Sequence, residues 1–180
     1  MFSPKRYESG FTIIEIIVVL LLLGIIAATV MGRAISTERI DLAAQMDKVR
    51  NHFRYAQSMA MKNGDAVWGF KVSSDGKSYW VFRLDPPVAD PIGEPDLPAN
   101  KVTLPGESNP EVDMYSRGVK MTPFAIYFDR IGKPYIYYVD ENDPSNLPVT
   151  TPPQTLFIFP AGNPANQHTF KVSGETGLIR

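Results

Sequence analysis

The chain has no cysteine among its 180 residues. That excludes disulfides, thiol nucleophiles, thiolate metal sites and a lipid anchor carried on cysteine. An exported domain of this kind relies on packing alone, and roughly 110 residues beyond the amino-terminal helix suffice for one core. Histidine is nearly as scarce. His52 and His168 are the only two, neither has a second ligand at metal spacing, and surface or interface roles are expected for both. Net charge is small, −1 for the whole chain, so the chain is not an obvious binder of nucleic acid. It has neither a phosphate-binding glycine loop nor a G-x-S-x-G elbow. Asp140-Glu141-Asn142-Asp143 gathers hard oxygen ligands but lacks the glycine and distal glutamate of an EF-hand, which leaves calcium open there. No catalytic residue, cofactor or metal ligand is assigned, and an enzyme is not expected.

What the chain does have is unevenly placed. Hydrophobic residues make up 44% of it, and the first thirty or so positions hold one dense apolar run. Met1–Gly10 is short and polar, with Lys5 and Arg6; Phe11 to Met31 carries a single charge, Glu15. About 21 such residues span a bilayer core as a helix. The positive residues precede the run, which predicts a cytoplasmic amino terminus and an outward carboxyl-terminal domain. A cleaved secretory signal, a simple anchor and a buried helix of a soluble protein are competing readings. The run is long for a signal, its unbroken apolarity argues against a soluble core helix, and a simple anchor leaves Glu15 unexplained. A carboxylate within hydrocarbon costs at least about 2.5–3.5 kcal/mol, and no lysine or arginine in the run can pair with it. Its partner must come from elsewhere.

Gly10-Phe11-Thr12-Ile13-Ile14-Glu15 resembles the processing motif of type IV pilins and of the pseudopilins of type II secretion. The resemblance implies that a membrane prepilin peptidase cuts between Gly10 and Phe11, that Phe11 is then N-methylated, and that Glu15 is the assembly glutamate. The chemistry is coherent. A small residue at Gly10 admits a protease to the backbone, and the cut creates a cationic amine on Phe11. In a staggered stack of parallel helices that amine can neutralise Glu15 of a neighbour. A pair in low dielectric is far stronger than one in water, and losing either partner leaves a bare charge.

Beyond Met31, apolar residues recur at Leu42, Met46, Val49, Phe53, Ala56 and Ala60, the stripe of an amphipathic helix. The pattern predicts one helix over 11–63, membrane-spanning to about 31, with Gly64 as its carboxyl cap. Gly24 and Gly32 are weak points that allow bending or close helix packing. From Ala66 the pattern is strands and turns. Val67–Ser73 and Ser78–Leu84 form one predicted hairpin, and Ala125–Asp129 and Tyr135–Val139 a second. Thr155–Phe159, Thr169–Ser173 and a short Leu178–Arg180 are further strands.

The fold class is therefore α+β: a long amino-terminal helix packed on a mostly antiparallel β domain. The predicted organisation is a cleaved leader over 1–10, the helix over 11–63 and an extracytoplasmic β-rich domain over 66–180. Phe53–Ala60, Ile126–Pro134 and Val172–Leu178 resemble the GspH/FimT group of minor pseudopilins and minor pilins. That resemblance implies a non-enzymatic subunit at the initiating end or tip of a type II secretion pseudopilus, or alternatively a minor pilin of a type IV pilus involved in DNA uptake. The implied partners are other pilin or pseudopilin subunits, the prepilin peptidase and the inner membrane. Nucleic acid is not an expected partner, because the carboxyl end has Lys171 and Arg180 with Glu175 between them and no arginine cluster. The proline-rich stretch between Asp85 and Gly118 matches nothing in that group. It and Asp140–Pro153 read either as contact surfaces for partners or as plain connections.

Overall fold

The structure, a computed structural model, describes residues 12–149 and 154–179; the side chains of 30–41 are outside this description. The chain divides into two compact units, Met1–Asp41 and Leu42–Arg180. One helix, α1 (Ile13–Lys62), runs through both.

In the first unit the described residues of α1 are bare. Ile13 is 80% exposed and Ile14 68%, and the large apolar side chains through Ile26 are all exposed. A helix that is apolar on every side is a buried element lacking its surroundings. Among the described residues no helix is long and apolar enough to cross a membrane. The span expected over Phe11–Met31 begins and ends outside the described side chains.

The second unit is built on the carboxyl-terminal part of α1. Leu42, Val49, Phe53, Ala56 and Ala60 are buried, with Met46 partly buried beside them. This is the expected stripe, and its two alanines let the backbone approach the sheet closely. The strands are β1 (Val67–Val72), β2 (Ser78–Leu84), β3 (Lys101–Val102), β4 (Glu111–Asp113), β5 (Val119–Met121), β6 (Ala125–Phe128), β7 (Pro134–Tyr137), β8 (Leu147–Pro148), β9 (Gln154–Pro160) and β10 (His168–Val172). Seven form one sheet in the order β3-β2-β1-β6-β7-β8, with β4 also paired to β2; β10-β9-β5 form a second. Every pairing is antiparallel. The α+β class read from the sequence is the observed one.

Two expectations about chain ends change. Gly64 is not among the left-handed glycines; α1 stops at Lys62, and Asn63 adds one last bond to the Met59 carbonyl. The reason for glycine at 64 is proximity, since a Cβ there would lie 3.3 Å from the Arg130 Cβ. The terminal strand is reduced to a single bridge between Val172 and Ile179, and Arg180 lies outside the described residues.

Phe53 anchors the core. It is fully buried, edge-on to Phe128 at 5.1 Å and tilted against Phe70 at 5.6 Å. Leu156, Ile158, Phe170 and Val172 of the second sheet join the same cluster. The other face of the large sheet carries a separate apolar cluster, with Val67, Trp80, Phe82, Val88 and Tyr127. The proline-rich stretch covers it. The Trp80 indole donates to the Pro95 carbonyl at 2.6 Å, Lys71 Nζ to the Ile92 carbonyl at 2.9 Å, and the Tyr127 hydroxyl to the Pro91 carbonyl. Lys71 also pairs with Asp96 at 2.7 Å. Residues 86–97 are thus a fastened cover rather than a plain connection.

Truncating Phe53 to alanine leaves a cavity among three elements. Urea denaturation of Phe53→Ala is expected to show a loss of about 3–5 kcal/mol; a loss below about 1 kcal/mol, the scale of a surface change, would remove Phe53 from the centre of the core.

Candidate functional site

Gly10 and Phe11 lie outside the described residues. Glu15 lies within them, in the first turn of α1. It is exposed, and its amide donates to the Thr12 carbonyl at 3.1 Å. A carboxylate in a first turn is favoured by the helix dipole, worth about 0.3–1 kcal/mol at an exposed position. Among the described residues no basic side chain pairs with it. A single anion on an otherwise bare apolar helix surface can recognise a cation brought by another molecule.

The second unit brings together three stretches far apart in the chain. Gln57 of α1 donates through Nε2 to the Gly132 carbonyl at 2.9 Å, in the β6–β7 turn, and to the Thr176 carbonyl at 2.6 Å, in the carboxyl-terminal turn. Gly132 and Gly177 both have positive φ, 80° and 63°, which favours glycine. Space demands it too: a Cβ on Gly177 would lie 2.6 Å from Gln57 Nε2 and 3.0 Å from the Gly132 oxygen. One amide therefore ties the helix end, the central turn and the carboxyl terminus together. These are the three stretches that carry the resemblance to minor pseudopilins. Gln57 was not singled out by sequence. The legible signal was a polar residue on the apolar side of the helix, one turn after Phe53 and beside Ala56 and Ala60.

The acidic residues of 140–143 are occupied locally. Asp140 accepts from the Asn142 amide at 2.7 Å, Asp143 from the Ser145 amide at 2.7 Å, and Glu141 pairs with Arg130 at 2.5 Å. Among the described residues no group of three acidic or histidine side chains is arranged to hold a metal. Desolvation pushes the Tyr138 hydroxyl up to about 12, with Asp129 adding to the rise. His168 is exposed. His52 is not: it is 7% exposed and bonded to Tyr79. The surface role expected for it fails because it faces the β2 side of α1, where it has a hydroxyl partner.

Gln57→Ala leaves two carbonyls without their shared donor. The expected cost is about 1–3 kcal/mol in denaturant unfolding, with faster amide exchange over 174–179 than over β1. Unchanged exchange there would show that the carboxyl-terminal turn is held by other contacts.

Comparison with known proteins places the amino terminus. The prokaryotic N-terminal methylation motif matches residues 5–31, a stretch that includes Gly10, Phe11 and Glu15. No curated protein matches the chain. Among solved structures, the minor pseudopilin EpsH from the Type 2 Secretion System of Vibrio cholerae is similar with a TM-score of 0.48 and 15% identity, over 78% of this chain and 94% of that one. Residues 5–31 are thus similar to the prokaryotic N-terminal methylation motif, on a short basic leader followed by an apolar run with one early glutamate.

Proposed function

We propose that the chain is a minor pseudopilin or pilin subunit, a structural and assembly component rather than an enzyme. The observation that carries this is the methylation motif at residues 5–31, continuing into a helix whose described apolar side chains are all exposed around Glu15. Cleavage after Gly10 removes Lys5, Arg6 and Glu8 and takes the formal charge from −1 to −2. It also leaves a new amine on Phe11, which methylation keeps cationic. The anchor then sits in the inner membrane, amino terminus inward, with the Leu42–Arg180 unit on the periplasmic side. On leaving the lipid it exchanges one apolar environment for another made of neighbouring helices. Glu15 selects the register of that exchange, because only one stagger brings a neighbour's amine to it.

Our reading of the machine is a type II secretion pseudopilus, at its initiating end or tip. The Gln57 clamp gives a common structural purpose to the three stretches similar to the GspH/FimT group, which includes pseudopilins and minor pilins alike. A pilus subunit with a role in DNA uptake is the second reading. Phosphate neutralisation dominates DNA affinity, and the carboxyl-terminal turn offers Glu175 beside Lys171 rather than a basic cluster.

Intact mass of the membrane-extracted protein is expected to show loss of Met1–Gly10 and gain of one methyl group; retention of Met1 overturns the processing. In cells expressing Glu15→Ala alongside wild type, filaments are expected to take up the variant poorly, and equal incorporation overturns the register role. A photo-crosslinking probe at Ile14 is expected to capture pseudopilins of a secretion system. Capture of pilins moves the chain to a pilus, and capture of neither reduces the helix to an anchor.

A further inference from the structure

His52 is the one buried polar or charged residue among the described side chains of the core, and the filament role above makes no use of it. Its Nδ1 lies 2.8 Å from the hydroxyl of Tyr79 on β2, and Tyr79 is itself 1% exposed. The Pro105 carbonyl also faces the ring. Pro105 belongs to residues 103–110, which cross from β3 to β4. One turn before His52, Lys48 pairs with Glu107 of that crossing. The other oxygen of Glu107 lies 3.6 Å from Arg117, in the turn after β4. The Glu107 side chain is 11% exposed. Leu104 of that crossing, and Val112 and Met114 in and just after β4, are buried in the core. Residues 103–118 are thus held by apolar plugs, one ion triad, one imidazole and the short pairing of β4 to the edge of β2.

We propose that residues 103–118 form a pH-sensitive strap, latched to α1 while His52 is neutral and released when the ring gains a proton.

The charges around the ring set the direction. Lys48 approaches from its own helix, Glu107 from the crossing and Arg117 from the turn beyond it, and Tyr79 faces it from β2. Two cations and one anion already leave the site net positive. A protonated His52 adds a second uncompensated positive charge where little water reaches. It also makes both ring nitrogens donors, where the neutral ring has one donor and one acceptor. Burial is the largest influence and lowers the ring's pKa below its ordinary value of 6.5; Glu107 opposes this, and Lys48 reinforces it. Because the folded value lies below the unfolded one, the latch is at full strength above about pH 6.5 and weakens as pH falls through that value towards the folded one. The strap, with edge strand β4, opens before the central strands β1 and β6 do. Phe53 touches Phe70 and Phe128 directly, with no strap residue between them, and segments at an edge open first.

Hydrogen exchange of the full chain in detergent micelles, at pH 7.4 and pH 5.5 with intrinsic rates corrected, tests the strap. The expected result is a several-fold rise in exchange over 103–118 at the lower pH, with β1 and β6 unchanged, and no such rise in His52→Gln. An unchanged strap in the wild type overturns the proposal. So does an equal rise in β1 and β6, or an acid response that persists in His52→Gln. Should that variant fail to fold, Tyr79→Phe serves. It removes the hydroxyl that holds Nδ1 and so weakens the latch; the midpoint of opening is expected to move to higher pH, and an unmoved midpoint overturns the latch.

Discussion

Phe53 set between Phe70 and Phe128 is the contact on which the second unit depends. It brings an α-helix onto the middle of the large sheet, at β1 and β6, and the small side chains of Ala56 and Ala60 hold the two at close range for a further turn. From that contact outward the structure is largely consequence. The helix stripe defines one face of the sheet as core, and the three-stranded sheet closes over the same cluster through Leu156, Ile158 and Phe170. The Gln57 amide then fixes the two turns that reach the end of the helix.

The helix that makes this contact meets two kinds of surroundings along its length. In the Leu42–Arg180 unit the stripe of apolar side chains from Leu42 to Ala60 lies on one face and is covered, with Met61 left exposed beyond it. In the Met1–Asp41 unit the described ones point in every direction and are bare. One helix thus carries both a covered apolar stripe and a bare apolar surface. Glu15 is the one charged side chain described in that bare segment. Apolar helices pack in many registers at similar energy, whereas an ion pair in low dielectric tolerates few.

The cover over 86–97 shows where sequence reading fell short. Tyr79-Trp80-Val81-Phe82 is an unbroken apolar run, and all four residues are buried. Such a run marks a strand covered on both faces. Only one cover, the helix, was recognised, because the second has no periodicity to read. Prolines prevent a long regular element there, and its attachment depends on Trp80, Lys71 and Tyr127 donating to the carbonyls of Pro95, Ile92 and Pro91. The same blindness applied to His52. Its place on the helix was legible, but its burial depends on a tyrosine and a proline carbonyl supplied by other segments.

By itself the sequence determined the amino-terminal motif, the extent of the apolar run, the buried stripe of the helix, both principal hairpins and the α+β class. Each of these is written in local order, as a spacing, a charge or a turn residue. The tertiary structure alone decided the short strands β3, β4, β5 and β8, the fastened cover on the second face, the Gln57 clamp and the buried imidazole. These rest on hydrogen bonds between residues up to 119 positions apart, and partners that distant are selected by the packed core rather than by any pattern along the chain.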